Sequence, residues 1–404
     1  MRPLRQRSEL VVGLAGGQQK RNGFFYQGEQ RHTVSPVTAE SRWGGSQNEG
    51  SIPFTRSSEN MKTRLTSHLG FLGVCLLTFA AGPVWSDDDV RVVVLGDSRS
   101  SGENVSGFNN EVLTSLLKQI KEVRPRAVFF TGDLVLGLEK EDDDDQEEAT
   151  RAAAPDTDIY SNHWSKEGFE YNSVAFKKQL DAVSHDLDQY MGDDIPFHPV
   201  IGNHEAVGPD AVEIFRDHFD ICHVASIDPA HLAYTVAVER NLFIIMATDY
   251  YDTEEKRLKE HNLGGGVLDW LEKELAEEGP KYERIFVLGH EPAFTLMDSK
   301  KEAKGLDRHP RKRDRFWALL KAHQVTAYLC AHQHLFDASQ QRGIWQIISG
   351  GAGAPLNKAF QNAAFYHYLI LDIPKDKTRP VQVTVVDHKG KTRKVFKLST
   401  AGKG

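Results

Sequence analysis

Two Asp, one Asn and three His of this chain, all types that ligate metals, stand directly behind short apolar runs. They occur in Leu95-Gly96-Asp97, Thr131-Gly132-Asp133, Gly202-Asn203-His204-Glu205, Leu288-Gly289-His290 and Ala331-His332-Gln333-His334. Imidazole nitrogen combined with carboxylate and amide oxygen suits Zn, Fe, Mn or Co. Six such residues are too many for one ordinary catalytic ion and about right for two ions that share a carboxylate. The His332–His334 spacing fits that arrangement, because alternate residues leaving a strand end point to opposite sides and can face two different ions. Asp133 is the natural bridge, since its two oxygens can each hold one ion. A single His after a strand is usually structural. Five such pieces, each behind its own apolar run, are hard to assemble by chance.

The runs that must position them are residues 92–95, 127–131, 199–201, 285–288 and 325–330. Short apolar or β-branched runs bounded by Gly read as buried strands. In open α/β sheets, ligands collect beyond the carboxyl ends of strands, so separate strands can deliver these side chains to one point. Helical spacing appears over residues 109–123, with Val112, Leu113, Leu116, Leu117 and Ile120 on one face, and over 174–187, 267–278 and 313–323. Alternating strands and helices argue for an α/β domain. Near the end, residues 345–349, 365–373, 381–387 and 392–398 read as strands joined by short turns, which is antiparallel character. No internal repeat and no clean linker interrupt residues 87–400, so they are expected to form one domain.

The 404 residues have an ordinary globular balance, 40% hydrophobic and 26% charged. The first 86 residues differ. Residues 1–60 are rich in Gly, Ser, Gln and Arg without any period, and read as disordered. Met61-Lys62-Thr63-Arg64, the apolar stretch from Leu69 to Ala81, and Val84-Trp85-Ser86 then resemble a signal peptide cut before Asp87. A signal belongs at a true N-terminus, so Met61 is expected to be the start, with residues 1–60 an over-extended gene prediction. The alternative is that Leu69–Ala81 is a buried helix. Export follows from the first reading, to a periplasmic or secreted destination. No apolar run reaches the roughly 18–20 residues of a membrane-crossing helix, so stable membrane insertion is not expected.

The formal charge is −8, and removing residues 1–86 takes away ten basic and five acidic residues, leaving −13. Such a surface repels a polyanionic backbone, which argues against duplex nucleic acid as partner. Cys222 and Cys330 lie beyond the signal-like segment; neither has zinc-ligand spacing, and both are expected to be free thiols. Glu139–Glu148 is an acidic run without the spaced ligands of a calcium loop and is expected to be a solvated loop. The basic run from Arg308 to Arg313 either rims a pocket or opens a helix. Trp164 and Tyr250-Tyr251 either pack or stack on a base or sugar. Gly350-Gly351-Ala352-Gly353 follows a strand and would let backbone approach the metals closely.

With these motifs in hand, the chain resembles the calcineurin-like metallophosphoesterases, a superfamily that includes the purple acid phosphatases. The resemblance spans roughly residues 90–387. Its motifs run D-x-H, G-D-x-x-D, G-N-H-[DE], a Gly-His, and G-H-x-H. They stand here as Asp97-Ser98-Arg99, Gly132-Asp133-Leu134-Val135-Leu136, Gly202-Asn203-His204-Glu205, Gly289-His290 and Ala331-His332-Gln333-His334. The fold implied is a sandwich of two mixed β-sheets flanked by helices. The resemblance places Asp97, Asp133 and His334 on one ion, and Asp133, Asn203, His290 and His332 on the other. The ions implied are two divalent or mixed-valence transition metals: Fe, Mn, Zn or Co. His204 is similar to the residue beside the leaving group, where it can donate a proton. The implied activity is hydrolysis of a small phosphorylated substrate, a phosphomonoester in the first reading. The alternatives are a phosphodiesterase on nucleotides or lipid head groups, and a metal- or phosphate-binding protein with little turnover. The oligomeric state is left open.

Three departures from the motifs matter. Arg99 replaces the first His, and a guanidinium is always protonated and cannot ligate. Leu136 replaces the second Asp, where purple acid phosphatases carry a metal-binding Tyr. Ala331 replaces a Gly. The first ion therefore keeps three protein ligands. Arg99 itself either clamps phosphate oxygens, for which Arg suits bidentate recognition, or neutralises the carboxylates by an ion pair.

Overall fold

Val90–Leu95 (β1) has Val at four of six positions and is buried along nearly its whole length. Such a run suits a strand covered on both faces. Val92 and Val94 point into one apolar cluster, while Val93 and Leu95 point into another. This period of two divides the molecule into layers. The computed structural model describes residues 89–101, 106–140, 169–296 and 305–399. The 1–60 extension, the 61–86 signal-like segment, most of the acidic run and Trp164 lie outside the described residues.

The remaining elements follow in order. Asn110–Val123 (α1) leads to Ala127–Phe130 (β2), Glu139–Lys140 (β3) and Phe169–Glu170 (β4). Ser173–Asp186 (α2) precedes Phe197–Pro199 (β5) and Ala211–His218 (α3). Ala233–Val238 (β6), Asn241–Met246 (β7), Tyr250–Asp252 (β8) and Arg257–Lys259 (β9) precede Val267–Glu277 (α4) and Arg284–Leu288 (β10). Pro310–Ala322 (α5), Ala327–Cys330 (β11), Phe336–Gln341 (β12) and Ile344–Ser349 (β13) come next. His367–Ile373 (β14), Val381–Asp387 (β15) and Thr392–Leu398 (β16) close the series.

Two six-stranded sheets result, ordered β16-β15-β14-β1-β2-β5 and β12-β13-β11-β10-β7-β6. In the first, β1, β2 and β5 run parallel and β14–β16 antiparallel. In the second, β13, β11, β10 and β7 run parallel between antiparallel edges β12 and β6. This is the mixed two-sheet sandwich expected. The inner faces share one core, in which Phe243 stacks on Phe129 at 4.2 Å and on Phe286 at 4.9 Å. Truncating a ring so enclosed costs about 3–5 kcal/mol. Outside the first sheet pack α1, α2 and α3 through Leu116, Leu180 and Phe215; outside the second pack α4 and α5 through Leu271 and Trp317.

Local signals explain the helix ends. The Asn109 side chain accepts from the Val112 N–H, and Arg124 closes α1 in the left-handed conformation. Helix α5 starts at Pro310, three residues before the expected 313, because Pro at the first position needs no N–H partner. The strand before Gly202 is Phe197–Pro199 rather than 199–201. Elements α3, β6, β8, β9 and β12 lie where the residues show no clear period, and β7 is a further fully buried strand whose apolar run (LFIIM) fits the buried-strand pattern. Helix α3 has only eight residues, and edge strand β12 (FDASQQ) is mostly polar and half-buried. Among the described residues, no helix is long and apolar enough to cross a membrane.

Candidate metal centre

Strands β1, β2, β10 and β11 end at Leu95, Phe130, Leu288 and Cys330, just short of Asp97, Asp133, His290 and His332, and β5 ends at Pro199, shortly before Asn203. The first two loops are laced together. The Asp97 N–H donates to Gly132 O at 3.0 Å, and the Ser98 and Arg99 N–H groups donate to Asp133 O at 2.9 and 3.1 Å. Asp97 (φ 61°), Asp133 (φ 56°), His332 (φ 64°) and His334 (φ 49°) all sit in the left-handed region. Such conformations cost about 1–3 kcal/mol each and persist where the surroundings enforce them. Gly350 is part of that enforcement. A Cβ there would lie 2.2 Å from Asp97 Oδ2 and 2.9 Å from the His334 nitrogen. The glycine-rich turn after β13 thus brings backbone against the carboxylate, as its composition suggests.

On one side of Asp133, His290 Nδ1 donates to Thr131 O at 2.9 Å, because a carbonyl can only accept. The neutral ring then presents a lone pair at Nε2. That nitrogen lies 3.0 Å from Asn203 Oδ1, 3.1 Å from His332 Nδ1 and 3.3 Å from Asp133 Oδ1. Asn203 is turned this way by its own amide nitrogen, which donates to Glu260 Oε1 at 2.9 Å. Three ligand-type atoms thus converge on Nε2, making a set of four as around a cation.

On the other side, Asp97, Asp133 and His334 offer donor atoms within 4.8 Å of one another. His334 Nδ1 donates to Pro355 O at 2.8 Å, which leaves Nε2 as the ligand atom. Both oxygens of Asp97 are buried without a hydrogen-bond partner. Arg99 Nε stands 3.6 Å from Asp133 Oδ2, and Nη1 donates to Ser100 O at 3.2 Å. Leu136 is buried and brings no ligand atom from its side chain. Its carbonyl instead accepts from His204 Nδ1 at 2.8 Å, which aims His204 Nε2 towards Asp133 Oδ2, 3.8 Å away.

Burial decides the electrostatics. It pushes Asp97 well above the ordinary carboxylate range, with repulsion from Asp133 adding to it and Arg99 opposing. Burial raises Asp133 to about 7 against the opposing pull of Arg99 and the His204 N–H. His204 and His290 are both lowered by burial, His204 well below its usual value. Buried carboxylates held together in this way call for a cation, which would reverse the two carboxylate shifts and lower the imidazoles further. The residues therefore fit a metal centre. The Asp97 oxygens without hydrogen-bond partners and the lone pairs gathered at His290 Nε2 are suited to a cation.

All eight residues singled out in the sequence, Asp97, Arg99, Asp133, Asn203, His204, His290, His332 and His334, come together here. Four others were not anticipated. Glu205 accepts from the N–H groups of Asp133 (3.0 Å), Gly202 (2.9 Å) and Val135 (2.9 Å), and so fixes two of the ligand loops. Glu260 orients Asn203. Glu291 and His261 lie behind His332. Glu205 stands at the acidic position of the G-N-H-[DE] motif and Glu291 directly follows His290, while Glu260 and His261 carry no sequence signal. The basic run opens α5, with Arg313 over the Phe294 ring and Lys312 donating to Asn262. Tyr250 packs on His231 at 4.2 Å. Cys222 is exposed and Cys330 buried, and they do not pair.

Comparison with known proteins agrees with this geometry. A family model for calcineurin-like phosphoesterases matches residues 90–336. Human tartrate-resistant acid phosphatase type 5 is 26% identical over 172 residues, which is 39% of this chain and 49% of that protein. The pig protein of the same name is 25% identical over 174 residues, 39% of this chain and 47% of the relative. The chain therefore spans about half the length of the curated relatives it matches. A dimetal phosphatase from Danio rerio superposes with a TM-score of 0.53 at 15% identity, covering 78% of this chain and 100% of the other, which shows a shared fold.

Proposed function

The chain belongs to the calcineurin-like phosphoesterase family, and we propose that it hydrolyses a small phosphomonoester at the centre built around Asp133. The observation that carries this reading is the convergence of Asp133 Oδ1, Asn203 Oδ1 and His332 Nδ1 on His290 Nε2 at 3.0–3.3 Å, beside the orphaned Asp97 carboxylate. Asp97, Asp133 and His334 would hold one ion, and Asp133, Asn203, His290 and His332 the other. When bound, two divalent or mixed-valence ions of Fe, Mn, Zn or Co supply Lewis acidity and a water acidic enough to attack near neutral pH.

The chain's own residues do the rest. The laced loops after β1 and β2 hold Asp97 and Asp133 in place before any ligand arrives. Arg99, its side chain 17% exposed beside Asp133, can turn its guanidinium edge to two phosphate oxygens. His204 stands across Asp133 with its Nδ1 proton committed to Leu136 O. Its Nε2 is the atom that takes up a proton when anionic phosphate is present and passes it to the departing alkoxide. No covalent intermediate with the chain is required.

A second reading is favoured by one observation, the cationic Arg99 beside Asp133 where a ligand would be expected. It is a phosphate- or metal-binding protein with little turnover. Hydrolysis of an aryl phosphate monoester against the matching diester, with Fe, Mn, Zn or Co returned after chelation, separates the readings. Faster monoester turnover with two ions per chain supports the proposal. Faster diester turnover points to a phosphodiesterase, and one tightly held ion without turnover points to the binder. We read residues 61–86 as an export signal and the mature chain as starting near Asp87. N-terminal sequencing of exported protein tests this, and retention of residues 20–60 would overturn it.

A further inference from the structure

A third cluster of ligand-type atoms abuts the metal centre on the far side of His332. His261, Glu291 and His332 offer donor atoms that all lie within 4.8 Å of one another. Glu291 Oε1 is 2.8 Å from His261 Nδ1 and 3.3 Å from His332 Nδ1. Glu291 is fully buried; its carboxyl group shares a hydrogen bond with the buried Asp249, and His261 Nδ1 makes none.

The 2.8 Å contact is an ion-pair distance, while the 3.3 Å contact has the spacing of two ligands of one ion. Atoms that approach to about 3 Å without a proton between them stand as two ligands of a common ion do, since ligand distances near 2.0–2.2 Å leave neighbouring ligands roughly 3.0–3.4 Å apart.

The residues are also held from outside the cluster. The Glu291 N–H donates to Thr248 Oγ1 at 3.1 Å, and the Tyr328 hydroxyl donates to Glu291 O at 2.6 Å. His261 stands at φ 58°, and its N–H donates to Asp249 Oδ1 at 2.9 Å. Two imidazoles and one carboxylate form a donor set for Zn, Co or Fe.

We propose that His261, Glu291 and His332 form an alternative seat for a divalent transition-metal ion, next to the position formed by Asp133, Asn203, His290 and His332. The proposal rests on the reading that this inner position holds metal. His332 Nδ1 borders both positions, so one ion occupies one or the other. The outer seat retains an ion that the inner position has lost.

The test uses the full chain and Co²⁺, followed by its visible absorption and by ions bound per chain after dialysis. The double variant Asp133→Asn/Asn203→Ala disables the inner position. It should still bind one Co²⁺ with a distinct spectrum. Adding either Glu291→Gln or His261→Ala should weaken that binding at least about 10-fold, with circular dichroism confirming that each variant is folded. No Co²⁺ retained by the double variant, or retention unchanged by both additions, overturns the outer seat. Failure of the inner reading looks different. There the double variant keeps the parent's full metal content and turnover, and the response to Glu291→Gln still decides the outer seat.

Discussion

The two sides of Asp133 differ in what surrounds the ligands. Towards β1, Asp97 and His334 are accompanied by Arg99 and Leu136, neither of which can ligate through its side chain. Towards β10 and β11, Asn203 and His290 are backed by Glu260 and Thr131 O, as His334 is by Pro355 O on the first side, and Glu291 and His261 add donor atoms beside His332. One side has exchanged a ligand for a fixed cation, and the other has gained donor atoms beyond the expected set. Carboxylates buried this deeply stay ionised only beside positive charge. A guanidinium 3.6 Å from Asp133 supplies it permanently on the side where ligands are fewer. A metal supplies it on the other side. The asymmetry predicts that the two ions bind with unequal affinity, the Asn203–His290–His332 ion more tightly.

The change with the largest effect abolishes the comparison by removing what the sides share. Asp133→Asn should eliminate hydrolysis and release at least one ion, measured together as turnover and metal stoichiometry. Near-normal rate with unchanged stoichiometry would rule out the bridge. His204→Ala comes next and touches neither ligand set. Turnover should fall by roughly 10²–10⁴-fold, the usual worth of a general acid, with metal content nearly intact. The loss should shrink for esters with acidic leaving groups, which depart without a proton. An equal loss across leaving groups would instead assign His204 a positioning role.

What the sequence made legible divides along the same line. Each of the six ligand candidates follows a short apolar run, and burial of a run on both faces leaves a contiguous signal. The sandwich was readable for the same reason in β1, β2, β10, β11 and β13–β16. The edge strands β6 and β12 were not, because half their side chains meet solvent and the period blurs. The supporting acids were hidden for another reason. Glu260 and His261 follow β9, a three-residue strand far in sequence from Asn203 and His332, and only the folded β8–β9 hairpin brings them near. Arg99 and Leu136 were visible as departures from a pattern. That Leu136 contributes a carbonyl to His204 is a backbone fact that no side-chain pattern carries.

The asymmetry can be sharpened from the better-supported side. Glu260→Ala removes the acceptor that turns Asn203 Oδ1 inwards. Loss of such an outer partner typically costs 10–100-fold in metal affinity or activity. The loss should fall on the tighter ion, so metal titration should show the two affinities moving closer together. A selective loss of the weaker ion would mean that Asn203 has been placed on the wrong side.

The smallest effect is expected from the other side, at Arg99. Arg99→His restores a potential ligand beside Asp97 and removes a permanent charge. Affinity for the first ion should rise, because an imidazole can ligate where a guanidinium cannot. If the guanidinium also grips substrate phosphate, kcat/KM should fall by about 10-fold or more, as expected for a charge-assisted hydrogen bond of ~1.5–3 kcal/mol. These two outcomes pull in opposite directions and are read separately, the first by metal titration without substrate and the second by kinetics at saturating metal. The partial exposure of the Arg99 side chain, 17%, favours the grip, so tighter metal with slower turnover is the expected pair. A variant with higher kcat/KM than the parent would show that Arg99 serves only to balance charge, and that the poorer side of the centre limits the rate through its missing ligand.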